Sequence, residues 1–190
     1  MILPIVAYGD PVLKKRAVDI EKDYPNLESL IENMFETMYN ANGVGIAAPQ
    51  VGLGIRVFVV DGVGFAEEGD EDYEVLKDFK KVFINPEILD EEGDEWAFSE
   101  GCLSIPDIHE DVFRKPDLRI RYLDENFEEH EETYTGMPAR IIQHEYDHIE
   151  GVLFTDRLSG LRKRLLKGKL SNISKGKIDV GYKMKFPLAK

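Results

Sequence analysis

Leu27, Leu30, Ile31, Met34, Phe35 and Met38 recur at the spacing of one helix face, which predicts an amphipathic helix over residues 25–40 with Pro25 in its first turn. The stretch Asn42-Gly43-Val44-Gly45-Ile46-Ala47-Ala48-Pro49-Gln50 has no such period. Its small residues predict a loop that another part of the chain approaches closely. Residues 55–60 and 82–85 are β-branched and aromatic, and each predicts a strand. Between them, residues 61–81 carry glycines and many acids and read as a solvated surface excursion. Further strands are predicted at 95–99 and at 118–123, the latter alternating apolar and charged as a half-exposed strand does. Residues 124–132 read as a polar turn, with 133–135 returning antiparallel. A helix is predicted over 138–150 with Gly151 as its stop, and a last amphipathic helix over 156–166 capped by Thr155 or Asp156. This order predicts an α+β fold, with mainly antiparallel β-sheets packed around the central helix 138–150.

A length of 190 residues suits one domain, expected as a catalytic body over 1–166 and a basic tail over 167–190. The chain is 43% hydrophobic and 32% charged, ordinary for a globular protein. Its charge is uneven. Residues 157–190 hold eleven Lys or Arg against the single acid Asp179, a local +10, so with a net charge of −13 residues 1–156 carry −23. A basic end of this kind is either a solvated tail or a docking segment for a polyanion such as ribosomal RNA. The acidic body excludes a broad nucleic-acid groove. One cysteine permits no internal disulfide and points to a reducing, cytoplasmic setting. No stretch is apolar enough to span a bilayer, and the opening ten residues are too short and proline-broken for a secretory signal.

The predicted helix 138–150 carries His144-Glu145-Tyr146-Asp147-His148, an HExxH motif. Positions i and i+4 share a helix face, so both imidazoles can reach one metal ion, with Glu145 beside them to handle the proton of a water. The third ligand is not downstream: the extended form of the motif would place a histidine at position 154, which is Phe154. After His148 only Glu150, Asp156 and Asp179 are acidic, and the first two sit on the wrong helix side or in a cap. Upstream, the candidates are Cys102, His109 and His130. His130 lies among four glutamates and reads as a surface residue. A catalytic tetrahedral site takes three protein ligands, which makes Cys102 the best remaining donor and His109 the fallback. Two further functions fit parts of this pattern. A metallo-endopeptidase would need a third ligand after His148, and an RNA-binding module with a structural metal would need a fourth, such as His109.

Three segments, Gly43-Val-Gly-Ile-Ala-Ala-Pro-Gln50, Glu100-Gly-Cys-Leu-Ser104 and Gln143-His-Glu-Tyr-Asp-His148, resemble in order and spacing the motifs of peptide deformylases. The opening Tyr8-Gly-Asp-Pro-Val-Leu13 is also similar to that family's start, and the resemblance covers about residues 4–160. It implies a metal-dependent hydrolase that removes the N-formyl group from the initiator methionine of nascent peptides, and the basic segment 157–190 fits an enzyme that docks on the ribosome. It implies Cys102, His144 and His148 as ligands of one divalent ion, Fe2+ in cells and often Zn2+, Ni2+ or Co2+ in its place. Glu145 would be the general acid–base, and Gln50 with the Leu103 N–H would bind the oxyanion. Gly45 would pair with the substrate backbone, Ile46 and Ile141 would line a methionine pocket, and Glu100 would pair with Arg114. The chain departs from the pattern at His109, where many members carry an arginine that touches the peptide, and in the longer acidic segment 62–80.

Overall fold

The structure is a computed structural model and describes residues 1–189. A five-stranded sheet organises it. β2 (Gly45–Ala47), β3 (Val57–Asp61), β4 (Lys80–Glu92), β7 (Asp117–Leu123) and β8 (Glu129–Thr135) lie side by side in that order, every pair antiparallel. Strand alternation gives the sheet two apolar faces. Phe58, Val60, Phe83 and Ile120 point to one, and Val57, Val59, Val82 and Ile84 to the other. Helix α1 (Leu27–Asn40) covers the second face through Ile31, Met34 and Met38. After the short α2 (Tyr73–Leu76), helix α3 (Gly136–Ile149) covers the first face through Ala139, Ile141, Ile142 and Ile149. The remaining strands pair as a hairpin of β5 (Trp96–Cys102) with β6 (Ile105–Arg114), and as a parallel contact of β1 (Ile5–Val6) with β9 (Met184–Lys185). A third apolar cluster joins β6, Phe154 and helix α4 (Gly160–Ser174) to the N-terminal segment. The α+β class and its mainly antiparallel pairing are as expected from the sequence.

Several elements differ from the sequence reading, each for a local reason. Helix α1 begins at Leu27 because Asn26 sits in the left-handed region, leaving Pro25 outside. The small-residue segment 42–50 is no simple loop: it contributes edge strand β2 and a 3-10 turn at Ala48–Val51. Strand β4 runs past 85 because Asn85, at φ 47, and Pro86 make a bulge, after which pairing to β7 resumes. β6 was hidden by its left-handed Asp107 and by a solvent face rich in acids. β8 begins at Glu129, inside the expected turn, with its carboxylates held by cross-strand partners such as Arg119 to Glu131 at 3.2 Å. The acidic segment 61–81 is anchored by Leu76 and Phe79, buried against the main cluster.

The predicted last helix also shifts. Residues Phe154–Arg157 form a 3-10 turn, in which Asp156 accepts the Leu153 N–H at 2.8 Å. Helix α4 starts later, capped by Ser159, and runs without a break through 166–167. Leu166, Leu170 and Ile173 bury one of its sides, so much of the basic charge of 157–190 is carried on a packed helix. Among the described residues, no helix is long and apolar enough to cross a membrane.

Gly151 ends α3 at φ +75, and a Cβ there would lie 2.9 Å from the Lys14 backbone. The helix end is docked on the N-terminal segment, where Ala17 N–H donates to the Ile149 carbonyl at 2.8 Å. Gly151→Ala combines a left-handed penalty of about 1–2 kcal/mol with a backbone clash. It is expected to lower the unfolding free energy measured in urea by at least that much, and an unchanged midpoint would contradict this packing.

Candidate functional site

Helix α3 places His144, Glu145 and His148 on adjacent turns, and the β5–β6 hairpin brings Cys102 to them. One ligand atom each from Cys102, His144 and His148 lies within 4.8 Å of the other two. The Cys102 Sγ is 3.3 Å from His148 Nε2. His144 Nδ1 donates to Glu100 Oε1 at 2.8 Å, which fixes its tautomer and leaves Nε2 as the free donor atom. Position 154 carries a fully buried phenylalanine whose ring stacks against His144 at 6.2 Å. His109 is exposed and stands outside the cluster. A second group of metal-capable side chains, Asp124, Glu128 and His130, occupies the β7–β8 turn. There Asp124 already accepts the Asn126 and Glu128 N–H groups and pairs with His130.

The donor set fits a divalent cation. A thiol and two imidazoles are the ligands that thiophilic transition metals take. The electrostatics point the same way. Burial would lower the pKa of His144, but its hydrogen bonds to Cys102 and Glu100 outweigh it and push it well up, so a positive charge is favoured at this spot. Burial and the neighbouring His144 push His148 down, so it stays neutral. Glu145 is 4% exposed, and its Oε2 has no partner. Burial pushes its carboxyl up to about 7.

A buried ionic network holds this geometry. Arg114 donates two hydrogen bonds to Glu100, at 2.8 and 2.9 Å, and one to Asp147 at 2.9 Å. Arg140 donates to the same Glu100 at 2.8 Å, and Arg157 donates twice to Asp147 at 2.6 Å. Burial would raise the pKa of Glu100, but the His144 and Arg114 hydrogen bonds win and hold it well below the usual carboxylate range. The Glu100–Arg114 pair is the one the motif implied. Arg140, Asp147 and Arg157 were not foreseen; the one available signal was an Asp inside the HExxH frame itself.

A cleft of about 520 Å³ opens onto the centre. Gly45, Gln50, Leu103, His109, Ile141 and Glu145 line it, so most of the sequence-derived residues converge. Gln50 is buried; its Oε1 accepts the Ala47 N–H at 2.9 Å, and its Nε2 points to Ser104 Oγ at 3.3 Å and Cys102 Sγ at 3.5 Å. Gly45 is required: a Cβ there would sit 2.5 Å from Glu145 Oε1. Gly43 likewise leaves room for Leu103, whose Cδ1 would be 2.8 Å away. Ile46 is the exception. Alternation along β2 turns it to the opposite sheet face, where it is wholly buried in the cluster with Met34 and Met38 and does not line the cleft. The cleft also has a wall with no signal in the sequence, residues 179–182, in which the Tyr182 hydroxyl donates to the Leu103 carbonyl at 2.7 Å.

Comparison with known proteins agrees with this arrangement. The polypeptide deformylase family model matches residues 2–164. A peptide deformylase of Christiangramia forsetii is 69% identical over 100% of this chain and 98% of its own. Among solved structures, the Legionella pneumophila peptide deformylase superposes with a TM-score of 0.79 at 37% identity, covering 93% of this chain and 98% of that one. The Thermotoga maritima peptide deformylase superposes with a TM-score of 0.73 at 41% identity, covering 84% and 99%. The chain therefore belongs to the peptide deformylase family, metal-dependent hydrolases that remove the N-formyl group from newly made proteins.

Proposed function

We propose that Cys102, His144 and His148 hold the ion, and that Glu145 moves the proton in formyl-methionine hydrolysis. The reading rests on the convergence of three ligand atoms within 4.8 Å beside a buried carboxylate that has an unpartnered oxygen. A thiolate with two imidazoles suits both zinc and iron(II); Fe2+ is our assignment in the cell, with Zn2+, Ni2+ or Co2+ able to replace it. When bound, the ion supplies Lewis acidity, polarising a carbonyl and lowering the pKa of water.

Glu145 takes a proton from the attacking water as its oxygen adds to the formyl carbon. The oxyanion is met by the Gln50 amide N–H and the backbone N–H of Leu103. Glu145 then returns the proton to the leaving nitrogen as the C–N bond breaks, giving formate and a free α-amine. The substrate backbone pairs with Gly45, at the free edge of the five-stranded sheet. Ile141 contributes to the methionine pocket, and His109 faces the residues that follow. The setting is cytoplasmic, on the ribosome. Its support is the +10 charge of residues 157–190, part of it on Lys163, Arg164, Lys167 and Lys169 along the exposed side of α4.

Glu145→Ala should lower kcat/KM for formate release from a formyl-methionyl tripeptide by about 10²–10⁴-fold while metal content per chain stays the same. Full activity would sink the assignment; metal analysis of anaerobically purified protein identifies the ion. Glu100→Gln removes the carboxylate behind His144 and should weaken metal affinity by about 10–100-fold in competition with a chelator. Reversing Arg164, Lys167 and Lys169 to Glu leaves the buried side of α4 intact. It should reduce co-sedimentation with ribosomes while tripeptide turnover is unchanged, and equal co-sedimentation would count against ribosome docking.

A further inference from the structure

The wall formed by residues 179–182 is a fixed part of the molecule. Tyr182 packs in the α1-side cluster with Leu103, and its hydroxyl holds the Leu103 carbonyl. Pairing of β9 with β1 secures the chain just after it, and the Leu188 N–H donates to the Ser174 carbonyl at 2.9 Å. Asp179 is therefore carried to the cleft on an anchored segment.

The charges lining the cleft do not balance. Glu100 and Arg140 neutralise each other at 2.8 Å, and Glu145 is buried. The exposed charges that remain are Asp107, from β6, and Asp179. The neighbouring His109 lacks the permanent charge of an arginine. Its ring lies against Gly101, where a Cβ would meet Nε2 at 2.6 Å. Asp107 is the only residue of β6 with a left-handed backbone, a conformation that aspartate tolerates better than most residues.

We propose that Asp107 and Asp179 make this cleft select, among formyl-methionyl chains, those with lysine or arginine in the residues just after the methionine. The inference rests on the deformylase reading of the cleft. Two exposed carboxylates lining a concave site attract a cationic side chain and repel an anionic one. Both line the cleft outside the Cys102, His144 and His148 cluster, so the selection falls on kcat/KM through binding of the downstream residues.

The test compares formate release by the metal-loaded full chain from formyl-Met-Ala-Lys-amide, formyl-Met-Ala-Ala-amide and formyl-Met-Ala-Glu-amide. The Lys peptide should exceed the Glu peptide by about 10-fold in kcat/KM at low salt, falling toward equality in about 0.5 M NaCl. The double variant Asp107→Asn, Asp179→Asn should compress that ratio to within about twofold. Asp94→Asn, on the exposed β4–β5 connection outside the cleft, should preserve it. Ratios are taken within one preparation, so differences in metal loading or folding cancel. Equal rates on Lys and Glu peptides, a ratio that survives the double variant, or one that Asp94→Asn abolishes overturns the selection while formate release itself stands. No formate from any of the three peptides overturns the deformylase reading, and the selection with it.

Discussion

The Glu100 carboxylate is the point on which the site depends. It is a buried charge, and a buried charge is tolerable only when its hydrogen bonds are filled. Arg114 takes both oxygens, and Arg140 and His144 take one each. Those partners come from β6 and α3, while Glu100 itself lies two residues before Cys102 on β5. Satisfying one carboxylate therefore locks the hairpin that carries the thiol to the helix that carries the imidazoles. The same bond orients His144. Fold stability and ligand geometry are one constraint here, and loosening either loosens both.

The second constraint is closeness of approach. Edge strand β2 lies beside α3 at Gly45, where the Glu145 carboxylate occupies the space a side chain would fill. Strand alternation then assigns neighbouring residues to different jobs. Gly45 faces the Glu145 carboxylate, and Ile46 fills the core under α1. A three-residue strand thus holds a cleft-facing edge and a hydrophobic anchor at once.

Much of this was legible in the sequence. The period of α1, the HExxH helix and its glycine stop come from local pattern, and the three motifs pointed to the ligand set. Other parts depend on contacts that local sequence does not carry. β8 looks like an acidic turn until its cross-strand arginines are seen. β6 reverses the polar pattern at its end, where Phe113 is exposed and Arg114 is buried. Asp147 reads as a filler residue within HExxH, yet it links Arg114 to Arg157. That Ile46 turns into the core and not to the cleft is also hidden, because a motif lists residues without their facing. The 179–182 wall was unreadable, since a lone tyrosine in a basic stretch gives no hint of where it folds back.

The pairing of β1 with β9 has a bearing on the protein's own birth. Ile5 and Val6 emerge early, and their partners Met184 and Lys185 emerge long afterwards. Contacts of such sequence separation form late, after loop-closure entropy has been met. The segment bearing Tyr182 is fixed by that closure. Until then the chain carries Cys102, His144 and His148 beside an unfinished cleft. An enzyme that serves nascent proteins would then reach its working shape only after residues 184 and 185 have joined its first strand.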